Sequence, residues 1–153
     1  DVFTRDEYCD ILIKNLKYCI ENKDLELYAY VIMSNHMHMI ASHPQGRLNE
    51  VLRDFKGYTS RQIVKSIEES TVESRKGWML DLFEKFGACS RQNKKYMFWQ
   101  KTNHPTVLDS PEILDQKEEY IHLNPVAAGY VTEPEAWFYS SACAMSPLKV
   151  MEL

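Results

Sequence analysis

The spacing of apolar positions changes along the chain, and each change predicts an element. Tyr8, Ile11, Leu12, Leu16, Cys19 and Ile20 recur at helical spacing and form one apolar stripe, the pattern of an amphipathic helix. Thr4 at N-cap with Glu7 at N3 reads as a capping box, Phe3 can staple onto Tyr8, and Glu21-Asn22-Lys23-Asp24 ends the helix. The period then shortens: Tyr28 to Met33 reads as a strand, Ser34-Asn35 as a tight turn, and the next residues as a returning strand carrying His36 and His38. After a loop at Ser42-His43-Pro44-Gln45-Gly46, the residues Leu48, Val51, Leu52, Phe55, Thr59, Ile63 and Ile67 mark a second amphipathic helix. Trp78, Leu80, Leu82, Phe83 and Phe86 suggest a third, within the least legible part of the chain. Tyr96 to Thr102 is aromatic and basic, which suits either a core strand or a stacking platform for unpaired bases. The core strand is preferred, because Phe98 and one neighbour are needed inside. Ser110 at N-cap, Pro111 at N1 and acids in the first turn open a further helix that runs to Tyr120. Pro125 then leaves two readings open. Either the helix continues and Tyr120 and Asn124 share a face, or Asn124 caps a new turn from Pro125 to Gly129. The tail from Trp137 is expected to pack its aromatics on the domain and then fray.

This mixture of strands and helices around one sheet predicts an α+β sandwich. At 153 residues the chain is read as one domain, 1–153, large enough for a real core. An apolar content of 44% with 26% charged residues is ordinary for a globular protein. No apolar run is long enough to span a bilayer and the first residues do not resemble a signal peptide, so a cytoplasmic protein without a membrane partner is expected. The chain begins with Asp1, which suggests processing or trimming. Cys9, Cys19, Cys89 and Cys143 form no Cys-x-x-Cys pair, which argues against a zinc ribbon or redox dithiol, and all four are read as structural.

The net charge of −4 does not advertise a nucleic-acid binder, but the charge is unevenly spread. Arg47 to Lys65 carries five basic residues against two acidic ones, and Arg91 to Lys101 carries four with no acid. Asp109 to Glu135 holds seven acids against Lys117 alone. Such runs are often only solvated faces, yet a basic surface opposite an acidic one suits a polyanion. Arg53, Lys56, Arg61, Lys94, Lys95 and Lys101 are the candidate phosphate contacts, residues that position a backbone without reading its sequence.

His36 and His38 lie one pleat apart, about 6 to 7 Å at the backbone, and therefore share a face. Two imidazoles so placed can converge on one divalent ion. A pair of partly exposed strand histidines has the same pattern, so a third ligand and a nucleophile are needed elsewhere. Asn124, which could equally cap the turn after it, is a candidate third ligand and Tyr120 the candidate nucleophile; His122, two residues from Tyr120, points elsewhere and is a second-rank candidate. A phenol with a pKa of about 10 is a poor nucleophile at neutral pH, and a divalent ion compensates by polarising the attacked phosphate.

At these residues the chain resembles a known family. Met33-Ser34-Asn35-His36-Met37-His38-Met39-Ile40 resembles the HUH signature, histidine-hydrophobic-histidine. Tyr120-Ile121-His122-Leu123-Asn124-Pro125-Val126-Ala127-Ala128-Gly129 resembles the tyrosine motif of the single-strand DNA transposases, closest to their REP-associated branch. Phe55-Lys56-Gly57 and Phe98-Trp99-Gln100 extend the likeness through most of the chain. The resemblance implies a ferredoxin-like antiparallel sheet with helices packed on it, in an enzyme that cuts and rejoins single-stranded DNA beside a hairpin. It implies Tyr120 as nucleophile, leaving a 5′-phosphotyrosine, and His36, His38 and Asn124 as ligands of Mg²⁺ or Mn²⁺. Its implied partners are single-stranded or hairpin DNA such as a REP-like palindrome, met by a monomer or homodimer at the bacterial nucleoid. A strand normally precedes the segment matching Val2-Phe3-Thr4, so the resemblance also implies a truncated or incompletely represented chain.

Three rival readings differ in chemistry. A non-catalytic hairpin binder on the same fold would keep the DNA surface and form no covalent adduct. A histidine-triad nucleotide hydrolase would need His at the next in-phase position, where Ile40 stands. A metal-dependent RNase would act without a covalent intermediate.

Overall fold

A computed structural model describes residues 1–89 and 95–152. In chain order the elements are α1 (Asp6–Asn22), β1 (Glu26–Ile32), β2 (Met37–Ser42), α2 (Leu48–Glu69), α3 (Lys76–Ala88), α4 (Pro111–Ala127) and a single 3₁₀ turn at Pro134–Ala136. The fold is α+β. The described residues form two compact units, one of 1–52 with 106–152 and one of 53–89 with 95–105.

The first unit is built on the β1–β2 hairpin. The strands pair antiparallel, with Val31 opposite His38 and Ala29 opposite Ile40, and a bulge falls between Leu27 and Ala29. The Met33 N–H donates to the His36 carbonyl at 2.8 Å, which closes the two-residue turn at Ser34-Asn35 as its sequence predicts. β1 is buried along nearly its whole length because both of its faces are covered. On one face Ala29, Val31 and Met33 pack with Ile40 and with Ile121 of α4. α1 also packs against β1, burying Tyr8, Leu12 and Leu16 completely.

The open edge of β1 is occupied by the chain's last residues. Ile32 N–H donates to the Tyr139 carbonyl at 2.9 Å, Ser141 N–H to the Tyr30 carbonyl at 3.0 Å, and Met151 N–H to the Leu27 carbonyl at 2.8 Å. The expected fraying of the tail is therefore not seen through 152: unpaired β1 backbone groups next to a buried core need partners, and the tail supplies them. Leu148, 5% exposed, anchors it.

Two other local expectations are corrected. α1 takes Arg5 rather than Thr4 as its N-cap, with no side-chain cap bond. Thr4 instead donates its backbone N–H to the Val2 carbonyl, and Phe3 is fixed by its own N–H to the Ser34 carbonyl. Of the cysteines, Cys9 and Cys19 are buried as expected, but Cys89 is exposed, because it lies just past the last turn of α3.

The second unit packs α2 and α3 with the segment from Lys95 to Pro105. Tyr96 to Thr102 is not a strand. Its aromatics cover helices instead: Phe98 meets the Phe83 ring at 5.3 Å, Trp99 lies 6.4 Å from Phe55, and Trp99 Nε1–H donates to the buried Thr59 hydroxyl at 3.0 Å. Strand-like composition reports only a half-buried surface, and helices satisfied that need here. On α3, Met79 and Phe83 are buried while Trp78, Leu82 and Phe86, which share the expected apolar stripe, are exposed.

Candidate active site

The seating of α4 decides the geometry of the site. Ser110 caps the helix by accepting from Ile113 N–H at 3.3 Å, with Pro111 in the first turn. The helix continues through Pro125, so the reading with Tyr120 and Asn124 on one face holds. It ends in a Schellman arrangement, in which Gly129 N–H donates to Val126 and Tyr130 N–H to Pro125, both at 2.9 Å. Gly129 supplies the left-handed residue this turn requires, at φ +73°. Ile121, 4% exposed, is the apolar plug that docks α4 onto the sheet.

That plug enters the face on which the histidines lie. Directly paired residues of an antiparallel ladder point to the same side, so His38 shares the side of Val31, as Ile40 shares that of Ala29. Tyr120, the residue before Ile121, is thereby brought against His38, with ring centroids 5.5 Å apart and planes at 68°. The His36 and His38 rings are 4.9 Å apart at 76°. A phenol and two imidazoles from distant parts of the sequence thus form one contiguous cluster. Tyr120 is 54% exposed, so the residue is open to solvent.

The polar details prepare the two imidazoles differently. His36 Nδ1–H donates to Asn35 Oδ1 at 2.6 Å, which leaves Nε2 with its lone pair. His38 is half-buried, and desolvation holds it below its usual pKa of 6.5, with smaller contributions from His36 and Lys117. It is therefore neutral at neutral pH, the form that can bind a cation. Asn124 Nδ2 donates to the Tyr120 carbonyl at 3.1 Å, so its Oδ1 is turned away from that bond. Among the described residues no group of three or more His, Cys, Asp or Glu side chains is placed to hold a metal ion.

His122 lies off the cluster, as its offset from Tyr120 predicts: Nε2 meets Ser141 Oγ at 2.8 Å. Two contacts of the site were not anticipated. Lys117 Nζ lies 5.7 Å from the centre of the Tyr120 ring, and Ser34 Oγ meets the Tyr130 hydroxyl at 2.8 Å beside the turn that carries His36. The isolated cation within the acidic run was the available signal for the first.

The candidate phosphate contacts belong to the second unit. Arg53 is exposed and pairs with Asp54 at 3.1 Å. Arg61, also exposed, lies over the Tyr58 ring at 5.9 Å. Lys56 is half-buried and donates to the Gln100 carbonyl and to Asn103 Oδ1. Lys95 is 4.7 Å from the Tyr96 ring centre and 3.9 Å from Glu68, and Lys101 is exposed. Lys94 lies outside the described residues.

The family model described as "Transposase IS200 like" matches residues 1–83. The chain belongs to the IS200-like transposase family. The match includes the hairpin with His36 and His38 and ends before α4, so Tyr120 is tied to the histidines by geometry. Neither a curated protein nor a solved structure matches this IS200-like transposase significantly. No helix among its described residues is long and apolar enough to cross a membrane.

Proposed function

We propose that this transposase nicks and rejoins single-stranded DNA beside a hairpin through a covalent 5′-phosphotyrosine on Tyr120, as in the REP-associated branch. The observation that carries the reading is the contact of the Tyr120 ring with His38, which is itself in contact with His36. In the forward step the Tyr120 oxygen forms a bond to the scissile phosphorus and the bond from phosphorus to the 3′ oxygen breaks. The phenolic proton passes to solvent, and the departing oxygen takes a proton from solvent to become a 3′-hydroxyl. The phosphotyrosine ester is about as energy-rich as the phosphodiester it replaces, so reversal with another 3′-hydroxyl rejoins DNA without a nucleotide cofactor.

The donor set fits a divalent ion. Nε2 of His36, the neutral His38 ring and Oδ1 of Asn124 would hold it, with Mg²⁺ or Mn²⁺ as the ion of this family. When bound, such an ion supplies positive charge to a phosphate under attack. The chain's own contributions are separate: α4 holds the phenol in place, and the exposure of Tyr120 admits a DNA strand. Exposed Arg53, Arg61, Lys95 and Lys101 are suited to the phosphates of the flanking DNA.

The test is covalent capture. Wild-type protein is incubated with Mn²⁺ and a pool of single-stranded oligonucleotides carrying a hairpin with randomised flanks, and adducts are resolved on denaturing gels. Wild type is expected to form an adduct, Tyr120→Phe to form none while still retarding hairpin DNA, and the His36→Ala/His38→Ala double variant to lose its response to Mn²⁺. If wild type retards DNA yet never becomes attached to it, the non-catalytic hairpin binder is the correct reading.

A further inference from the structure

We propose that Lys117 is a second catalytic residue of this site, one that binds a non-bridging oxygen of the phosphodiester attacked by Tyr120. The inference rests on Tyr120 being the nucleophile. It begins from a residue that is out of character with its surroundings. Lys117 is the one cation in the acidic run from Asp109 to Glu135, and it falls one helical turn before Tyr120. Its Nζ lies 5.7 Å from the Tyr120 ring centre. The positions one turn from it on α4 are Ile113, Leu114, Tyr120 and Ile121, none of them acidic, so no helical neighbour neutralises it. Lys117 is also exposed, which leaves its ammonium free to meet a strand arriving from solvent.

The chemistry of the step calls for a charge at this place. A phosphodiester carries one negative charge, and bond formation to the phenolic oxygen adds negative charge to its non-bridging oxygens. His38 and Lys117 both approach the Tyr120 ring, at 5.5 Å between ring centroids and at 5.7 Å from Nζ to the ring centre. A phosphorus about 3 to 3.5 Å from the phenolic oxygen puts its non-bridging oxygens within reach of a lysine stem with four flexible carbons. The ammonium keeps its protons throughout. It stabilises the developing charge by a charge-assisted hydrogen bond. Tyr120 Oη still gains the bond to phosphorus, the 3′ oxygen still leaves, and proton exchange remains with solvent.

The experiment compares Lys117→Met, Lys117→Arg and Lys117→Glu with wild type in single-turnover adduct formation. It uses an oligonucleotide recovered from the randomised hairpin pool, at saturating Mn²⁺. Met preserves the aliphatic stem and removes only the charge. Lys117→Met is expected to slow adduct formation about 10- to 100-fold, the worth of one hydrogen bond to a charged group. Lys117→Glu is expected to be slower still, and Lys117→Arg to retain most of the rate. All three should melt at the wild-type temperature, since the side chain is exposed. A Met variant as fast as wild type, or Arg as slow as Met, overturns the assignment while adduct formation by wild type leaves Tyr120 standing. If wild type forms no adduct, both readings fall together.

Discussion

Ser141→Ala should destabilise this protein far more than a small polar substitution in a tail segment ordinarily does. Ser141 Oγ is the meeting point of three groups: Tyr30 N–H donates to it at 3.0 Å, the Tyr30 carbonyl lies 3.2 Å away, and His122 Nε2 lies 2.8 Å away. A serine has one proton to give. All three bonds coexist when Ser141 accepts from Tyr30 N–H and from His122 Nε2–H and donates to the Tyr30 carbonyl. One hydroxyl thus couples β1, the tail and α4. In the alanine variant the Tyr30 carbonyl keeps its bond from Ser141 N–H, but the Tyr30 N–H, on a fully buried residue, loses its side-chain acceptor. Stranding a buried donor costs roughly 1–3 kcal/mol, and the lost bond to half-buried His122 adds about 1 kcal/mol. A total near 3 kcal/mol corresponds to a fall in melting temperature of roughly 6–12 °C for a chain of this size. His122→Ala leaves Tyr30 satisfied, so its polar loss should be the smaller part, about 1 kcal/mol. Urea unfolding of the two single variants and the double variant closes a cycle in which the two losses are less than additive. A Ser141→Ala variant within about 0.5 kcal/mol of wild type, the range of an indifferent surface change, would refute the coupling.

Two further outcomes follow from the local geometry. Gly129→Ala meets no steric neighbour but must adopt φ +73°, so it should lower stability by about 1–2 kcal/mol in urea titrations; Gly129→Asn should recover part of that, and equal stability of the alanine variant would contradict the Schellman ending. Burial, aided by Asp6 and Asp10, pushes the Cys9 thiol up to about 12. In the native protein at pH 8, mass spectrometry after alkylation should find Cys89 labelled and Cys9 untouched until unfolding. Between pH 9 and pH 12 the unfolded chain gives up a proton that the folded chain retains, so this group's contribution to stability falls as pH rises through that window. Equal labelling of Cys9 and Cys89 in folded protein would disprove the burial argument.

Much of the site was legible because it is written in short spacings. Alternation placed His36 and His38 on one face, and the pattern Ser110-Pro111-Glu112 marked the start of α4. The four-residue separation of Tyr120 and Asn124 was readable too, though the sequence left open whether the helix survives Pro125. It does, since Pro125 lies in the last turn and only the bond to the Ile121 carbonyl is forgone, while the proline ring itself is buried. The Tyr96 to Thr102 segment was misread because aromatic side chains satisfy burial equally well against helices or within a sheet. Thr4 failed as a cap because the Phe3 backbone is drawn to Ser34, a contact across 31 positions that no local pattern announces.

By itself the chain's sequence determined which residues travel together: two imidazoles on one strand face, a phenol and an amide on one helix face, and a hairpin with a two-residue turn. These are consequences of backbone periods of two and of 3.6, which act over a few residues. Only the tertiary structure decided that these faces meet. Ile121 entering the cluster of Ala29, Val31, Met33 and Ile40 selects the histidine side of the sheet for α4, and the same docking brings the Tyr120 ring against His38. Burial of apolar surface is non-directional, so which face receives the helix depends on the shape of the whole first unit and not on any segment of it.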